Sequence, residues 1–205
     1  MTNGILDIGL LDAESATQAI RIVGDMAEAN GIDWAICGGI AMAIYGSDRN
    51  TKDINFVASK RLPIPKEKVI AYLKQGGEHF LTETDKQAVK TDWILRSDRF
   101  KNYYQDALNQ AVKINGLPVV TTEHLVLMKY IAGRFKDQED AVYLLKTKGL
   151  VSRRKIKEIV VRVEGQTAWT GIYIGLSRWF DLADNFIRQG DENESYRSED
   201  DYLDS

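Results

Sequence analysis

Cys37-Gly38-Gly39-Ile40-Ala41-Met42-Ala43-Ile44-Tyr45-Gly46-Ser47-Asp48-Arg49-Asn50-Thr51-Lys52-Asp53-Ile54-Asn55 is the stretch that decides how the rest of the chain is read. Just before it, Asp33 to Cys37 has the character of a buried strand that stops at the double glycine. Ile40 to Tyr45 is then an alanine-rich short helix closed by Gly46. A second strand fits Lys52 to Ala58, with Ile54, Phe56 and Ala58 on one face and Asp53, Asn55 and Val57 on the other. Glycines at a strand-to-helix junction let the backbone approach a ligand closely, and the helix start offers unsatisfied N–H groups to an anion such as a triphosphate. Asp53 and Asn55, two residues apart on a strand, share a face, the spacing at which two side-chain oxygens hold one hard cation. A third oxygen ligand has to come from a neighbouring strand, and Asp92, beside the apolar run Trp93-Ile94-Leu95, is the candidate.

Outward from this centre the periodicity changes twice. Upstream, Ala16, Ala19, Ile20, Val23, Met26 and Ala27 recur at spacings of three and four, which predicts an amphipathic helix from Ala13 to Ala29 ended by Asn30-Gly31. Downstream, Pro63 and Pro65 mark a loop, Lys66 to Lys74 reads as a helix broken by Gly76-Gly77, and Ala88 to Leu95 reads as a strand. A helix at Tyr103 to Gln110 and short strands at Val112 to Ile114 and Leu117 to Val120 flank the Asn115-Gly116 turn. Beyond that point everything reads as helical. Thr121 or Thr122 caps a helix running to about Phe135, Asp137 to Lys148 is the next, Ser152 caps another through Val163, and Trp169 to Gln189 is the last. The expected architecture is an α/β mixed sheet flanked by helices over residues 1–120, a helical region packed on it over 121–190, and an acidic disordered tail over 191–205 in which Tyr202 and Leu203 could dock.

Composition narrows the chemistry. At 205 residues, 44% hydrophobic and 28% charged, the chain is a globular protein of one ordinary domain with an appendage. Its most apolar stretch, Trp34 to Gly46, is far shorter than the roughly 18 residues needed to cross a bilayer. Met1 to Leu10 lacks the basic start of a secretory signal, so the expectation is a cytoplasmic protein with no membrane partner. One cysteine, Cys37, forms no internal disulfide and reads as a buried packing thiol. With only His79 and His124 as histidines a metal has to be held by oxygen. The net charge of −3 is uneven: the tail has seven acids against Arg197, whereas Lys129 to Arg162 has ten basic residues against four acids. A basic surface on the C-terminal half, with Arg153-Arg154-Lys155 and Lys157 at a helix start, makes a polyanion such as tRNA a candidate partner that the tail would compete with.

The order double glycine, closing glycine, Arg49-Asn50-Thr51 and Asp53-Ile54-Asn55 resembles the minimal DNA polymerase beta-type nucleotidyltransferases. A second block, Leu125-Val126-Leu127-Met128-Lys129-Tyr130-Ile131-Ala132-Gly133-Arg134-Phe135-Lys136-Asp137-Gln138-Glu139-Asp140, is similar to the pattern that follows the catalytic sheet in their abortive-infection toxin branch, so that the likeness covers about residues 33 to 150. The resemblance implies a nucleotidyltransferase-like fold and transfer of a nucleotide from a nucleoside triphosphate to an RNA, such as a tRNA end, or to a protein. It also implies a role as the toxin of a toxin-antitoxin pair with an antitoxin partner. Two magnesium ions on Asp53, Asn55 and Asp92 are implied as cofactors. Gly38, Gly39, Arg49 and Thr51 are implied at the nucleotide, with Lys129 reaching the triphosphate. Arg134 and Lys136 would line the phosphate or acceptor side, oriented by Asp137 and Asp140.

One departure bears on the chemistry. Asn55 stands where the family has a second Asp, so the position that would bridge both metals offers a neutral carbonyl oxygen and the ligand set loses one unit of charge. Ile40 and Ala41 also stand where relatives place a phosphate-binding Ser or Thr. Weak or single-metal binding is expected: the chain is a degenerate nucleotide-binding relative, or Asn55 is an introduced inactivating change, or the site works with an altered metal demand. The alternative is a non-catalytic regulatory or interaction module that keeps the fold and uses Trp179 and Phe180 as a partner face. Trp34 and Trp93 are assigned to sheet packing, Trp169 and Trp179 to the helical part, and the Tyr103-Tyr104 pair to the core in preference to stacking on a base. His79 and His124 are assigned to the surface.

Overall fold

The computed structural model describes residues 11–190, with side chains through residue 187. Met1 to Leu10 and the tail 191–205, including Tyr202 and Leu203, lie outside the described residues. The chain divides into two compact units, Met1–Lys101 with Ala111–Val120, and Asn102–Gln110 with Thr121–Ser205. No described helix is long and apolar enough to cross a membrane.

The first unit holds helix α1 (Ala13–Ala29), strand β1 (Trp34–Cys37), the short helix α2 (Gly38–Ile44) and strands β2 (Asp53–Ala58), β3 (Val69–Tyr72), β4 (Gly77–Glu83), β5 (Ala88–Ile94), β6 (Val112–Ile114) and β7 (Leu117–Val119). The strands form one mixed sheet in the order β3-β4-β5-β2-β1-β7-β6. β2 runs parallel to β5 and β1 parallel to β7, while the remaining pairs are antiparallel. This is the mixed α/β sheet with flanking helices expected from the alternation of periodicities.

α1 begins where the Asp12 carboxylate accepts hydrogen bonds from the amides of Glu14 (3.0 Å) and Ser15 (2.9 Å), two donors that have no partner inside the helix. Its stripe Ala16, Ala19, Ile20, Val23 and Ala27 is buried. Gly24 sits in the middle of the helix because the Trp34 ring occupies the space beside it: a Cβ there would lie 2.6 Å from Trp34 Cζ2. Trp34 meets Phe56 edge-on at 5.5 Å and Phe56 meets Trp93 at 5.7 Å, so one aromatic row crosses β1, β2 and β5. Such pairs add about 0.5–1.5 kcal/mol each beyond the area they bury. The packing roles assigned to Trp34 and Trp93 hold, and Cys37 is buried.

The segment from Lys66 to Lys74 is not a helix. After a single 3-10 turn at Lys66–Lys68 it becomes β3, and β4 follows immediately in a hairpin. Gly76 and Gly77, with φ of 106° and 110°, make the turn, which side-chain-bearing residues rarely adopt. Val69, Ile70 and Leu73 satisfy a helical spacing, but β4 has an open edge to which β3 pairs, and tertiary hydrogen bonding overrides the local period. β4 escapes the sequence reading because its Glu78, His79 and Thr82 are polar, yet Glu78, Phe80 and Thr82 are all buried, an alternation visible once the strand is known.

The second unit is all helical: α3 (Lys101–Asn109, its first residue belonging to the first unit), α4 (Thr122–Ala132), α5 (Phe135–Lys146), α6 (Arg153–Glu164) and α7 (Gln166–Gly190). Thr121 caps α4, its hydroxyl accepting from the amide of His124 (3.4 Å), and Gly133 ends it in the left-handed region at φ 66°, so that its last residue, Ala132, falls three residues before the expected end near Phe135. Arg134 therefore becomes the residue before α5, and Phe135 is exposed. Tyr103 and Tyr104 are core residues. Trp179 and Phe180 are buried as well, Trp179 against the Tyr130 ring at 5.6 Å, which is the packing role assigned to Trp179; the two rings do not form the partner face of the alternative reading. Arg153, expected in a basic surface cluster, is buried and forms an ion pair with Asp184, which leaves Arg154, Lys155 and Lys157 to carry that surface.

His124 is also buried, against expectation. Asp106, ionised and acceptor-only, takes a hydrogen bond from Nε2 at 2.8 Å, and Nδ1 then accepts from the Thr121 hydroxyl at 2.7 Å, the pairing that suits a neutral ring. Burial pushes the imidazole below its usual value despite the hydrogen bond it donates to Asp106. The unfolded chain therefore takes up a proton first on acidification, and stability present above about pH 6.5 is lost as pH falls below it, with a slope of at most about 1.4 kcal/mol per pH unit from this group. Urea titrations at pH 7.5 and 5.5 measure this: the difference should shrink in His124→Gln, and an unchanged difference removes His124 as its source.

Candidate functional site

Alternation along β2 is a local property, so Ile54 and Phe56 go into the core while Asp53 and Asn55 stay half-buried on the other face. Register then builds the site. Cys37, Asn55, Asp92 and His79 are successive partners across β1, β2, β5 and β4, and form one row across the sheet. Asp53 occupies the next row, with Lys90 as its partner on β5. Asp92 is thus brought beside Asn55.

The polar contacts are short. Asp53 Oδ1 accepts from the Thr51 hydroxyl at 3.0 Å and from Asn55 Nδ2 at 3.2 Å. His79 Nδ1 lies 2.5 Å from Asp92 Oδ1, so His79, expected at the surface, belongs to the site. Gly38 and Gly39 begin α2 directly against these residues: a Cβ on Gly38, whose φ is 65°, would meet Asn55 Cβ at 3.0 Å, and one on Gly39 would meet Thr51 Oγ1 at 2.6 Å. The double glycine is required by this close approach as much as by the turn. Gly38, Gly39, Thr51, Asp53, Asn55 and Asp92 therefore come together, while Arg49 is half-buried nearby in sequence with its amide on Ser47 Oγ at 3.3 Å.

The second group of sequence-derived residues lies in the helical unit. Lys129 is buried, with Nζ 2.5 Å from Asp140 Oδ2 and 3.3 Å from Asp137 Oδ1. Arg134 closes the other side of Asp137, with Nε 2.6 Å and Nη2 3.1 Å from its two oxygens, while Asp137 Oδ2 also accepts from the Arg134 amide. Burial works against the Asp137 charge, but the Arg134 hydrogen bonds and the Lys129 ammonium outweigh it and hold its carboxyl below the usual range. Lys136 is exposed and makes no hydrogen bond or ion pair among the described residues. Asp137 and Asp140 thus hold Lys129, and Asp137 holds Arg134.

The sequence resemblance implies two magnesium ions on this donor set. Two carboxylates and one amide oxygen, from Asp53, Asp92 and Asn55, suit a single hard cation. A pair of ions needs a bridging carboxylate, where Asn55 has only a carbonyl oxygen, and one Asp92 oxygen is already engaged by His79. Among the described residues no three His, Cys, Asp or Glu side chains converge as a metal-holding group. The face therefore lacks the carboxylates that a pair of ions needs.

No family model matches the chain, and no curated protein matches it in sequence. Solved structures similar to it include an antigenic nucleotidyltransferase-like protein from Paracoccidioides brasiliensis, at 15% identity over 85% of this chain and 95% of that one, with a TM-score of 0.46. The antibiotic-resistance factor ANT(2'')-Ia is similar in its solution structure, at 18% identity over 89% and 96% of the two chains and a TM-score of 0.35. Its crystal structure with adenylyl-2''-tobramycin is similar at 19% identity over 85% and 99%, with a TM-score of 0.30.

Proposed function

We propose that the face formed by Asp53, Asn55 and Asp92 binds a nucleoside triphosphate with one magnesium ion, and that the protein is a nucleotidyltransferase-like enzyme of low turnover. The observation that carries this reading is the convergence of Gly38, Gly39, Asp53, Asn55 and Asp92, from three separate segments, on one patch of the sheet. The ion supplies charge neutralisation of the phosphates when bound. Transfer joins an acceptor oxygen to the α-phosphorus as the bond to the β-phosphate breaks and pyrophosphate leaves. Asp92, with His79 on Oδ1, is the carboxylate that takes the acceptor's proton. An RNA or protein acceptor, a toxin role and an antitoxin partner belong to the same proposal, supported by the Lys129 to Asp140 block alone. The interaction-module alternative has lost Trp179 and Phe180, which are buried.

Calorimetric titration of the full chain with each nucleoside triphosphate tests the reading. Micromolar binding of at least one, weakened about tenfold or more by Asp53→Ala, is expected. Absence of binding to all four leaves the interaction module as the better account.

A further inference from the structure

The face that carries Asp53, Asn55 and Asp92 also carries a cation of its own. Along β5, residues 88, 90 and 92 are half-buried while 89, 91 and 93 are buried, which puts Lys90 on the same side as Asp92. Its register partner on β2 is Asp53, one strand spacing of about 4.8 Å away. Lys90 makes no hydrogen bond or ion pair among the described residues, whereas Asp53 Oδ1 is satisfied by Thr51 and Asn55. A compact ammonium with three unspent donors is therefore carried on the same face as Asp53 and Asp92.

The charge balance of the face follows from three substitutive features. Asn55 stands where a bridging carboxylate would, His79 engages one oxygen of Asp92, and Lys90 brings a positive side chain to the strand position paired with Asp53. Each lowers the demand of the site for divalent cations, and the last also offers the phosphates a direct partner.

We propose that Lys90 is a phosphate-binding residue that supplies the charge a second metal ion would bring, so that a nucleoside triphosphate is held on this face without strict need of magnesium. This rests on the nucleotide-binding reading given above. A single magnesium ion adds to the binding, and Lys90 sets what is left when the ion is removed.

The test is calorimetric titration of the full chain with ATP and the other nucleoside triphosphates, in EDTA and in millimolar magnesium, for the unsubstituted protein, Lys90→Met and Lys90→Arg. The expected result is an affinity that changes less than about fivefold between the two conditions in the unsubstituted protein. Lys90→Met should lose about tenfold or more in EDTA, and Lys90→Arg should retain most of the affinity. Thermal unfolding of each variant checks that the sheet is intact, and Lys90→Arg reports on the charge should Lys90→Met unfold. Binding that disappears in EDTA, or that is unaffected by Lys90→Met, overturns the Lys90 proposal while nucleotide binding stands. No binding by the unsubstituted protein under either condition overturns the nucleotide reading and this proposal with it.

Discussion

Lys129→Met is expected to destabilise the helical unit by about 3–5 kcal/mol, the cost typical of breaking a buried ion pair from one side. Asp137 is fully buried and Asp140 nearly so, and both are paired with the Lys129 ammonium. Removing it leaves Asp140 without that cation and makes Asp137 depend on Arg134, whose side chain is largely exposed. Arg134→Ala should cost far less, about 1 kcal/mol or below, because solvent screens an exposed guanidinium. Urea denaturation followed by far-ultraviolet circular dichroism gives both values, and similar costs for the two variants would show that Lys129 is not the pivot of the cluster. Nucleotide affinity measured on folded Lys129→Met separates this structural role from the triphosphate contact that the sequence resemblance implies.

Asn55→Asp is expected to exchange stability of the free protein for metal affinity. The substitution removes the hydrogen bond from Asn55 Nδ2 to Asp53 Oδ1 at 3.2 Å and sets a like charge against it, a loss of about 1–2 kcal/mol in the metal-free protein. A third carboxylate also completes the oxygen set, so magnesium should bind at least about tenfold more tightly and recover the lost stability through linkage. The readout is the unfolding midpoint as a function of magnesium: flat or shallow for the unsubstituted protein, steep for the variant. Transfer from a radiolabelled nucleoside triphosphate should rise in parallel. A variant whose midpoint ignores magnesium would show that these residues do not form a cation site.

The two outcomes bear on different units. Lys129 answers for the helical unit and Asn55 for the sheet, and each substitution can be read without assuming anything about the other. Together with the Lys90 titration they distinguish a site that has lost one ion from one that has lost nucleotide binding altogether.

What the chain reveals before folding is everything that depends on neighbours in sequence. α1, the strand, double glycine and helix order around Gly38-Gly39, the shared face of Asp53 and Asn55, and the caps at Thr121 and Ser152 all follow from local periodicity, backbone geometry and first-turn hydrogen bonds. His79, Lys90, Arg153 and the partner of Trp179 were not legible in this way. Their placement depends on which strand lies beside which and on what covers a helix: His79 meets Asp92 across the β4 and β5 register, and Lys90 is the register partner of Asp53 across β2 and β5. Arg153 meets Asp184 from a helix 31 residues away, and Trp179 is covered by Tyr130. Alternation tells which face a residue occupies but carries no information about the partner strand or its register. Pairings between distant segments are selected by the burial and hydrogen bonding of the whole unit, and only the tertiary structure decides them.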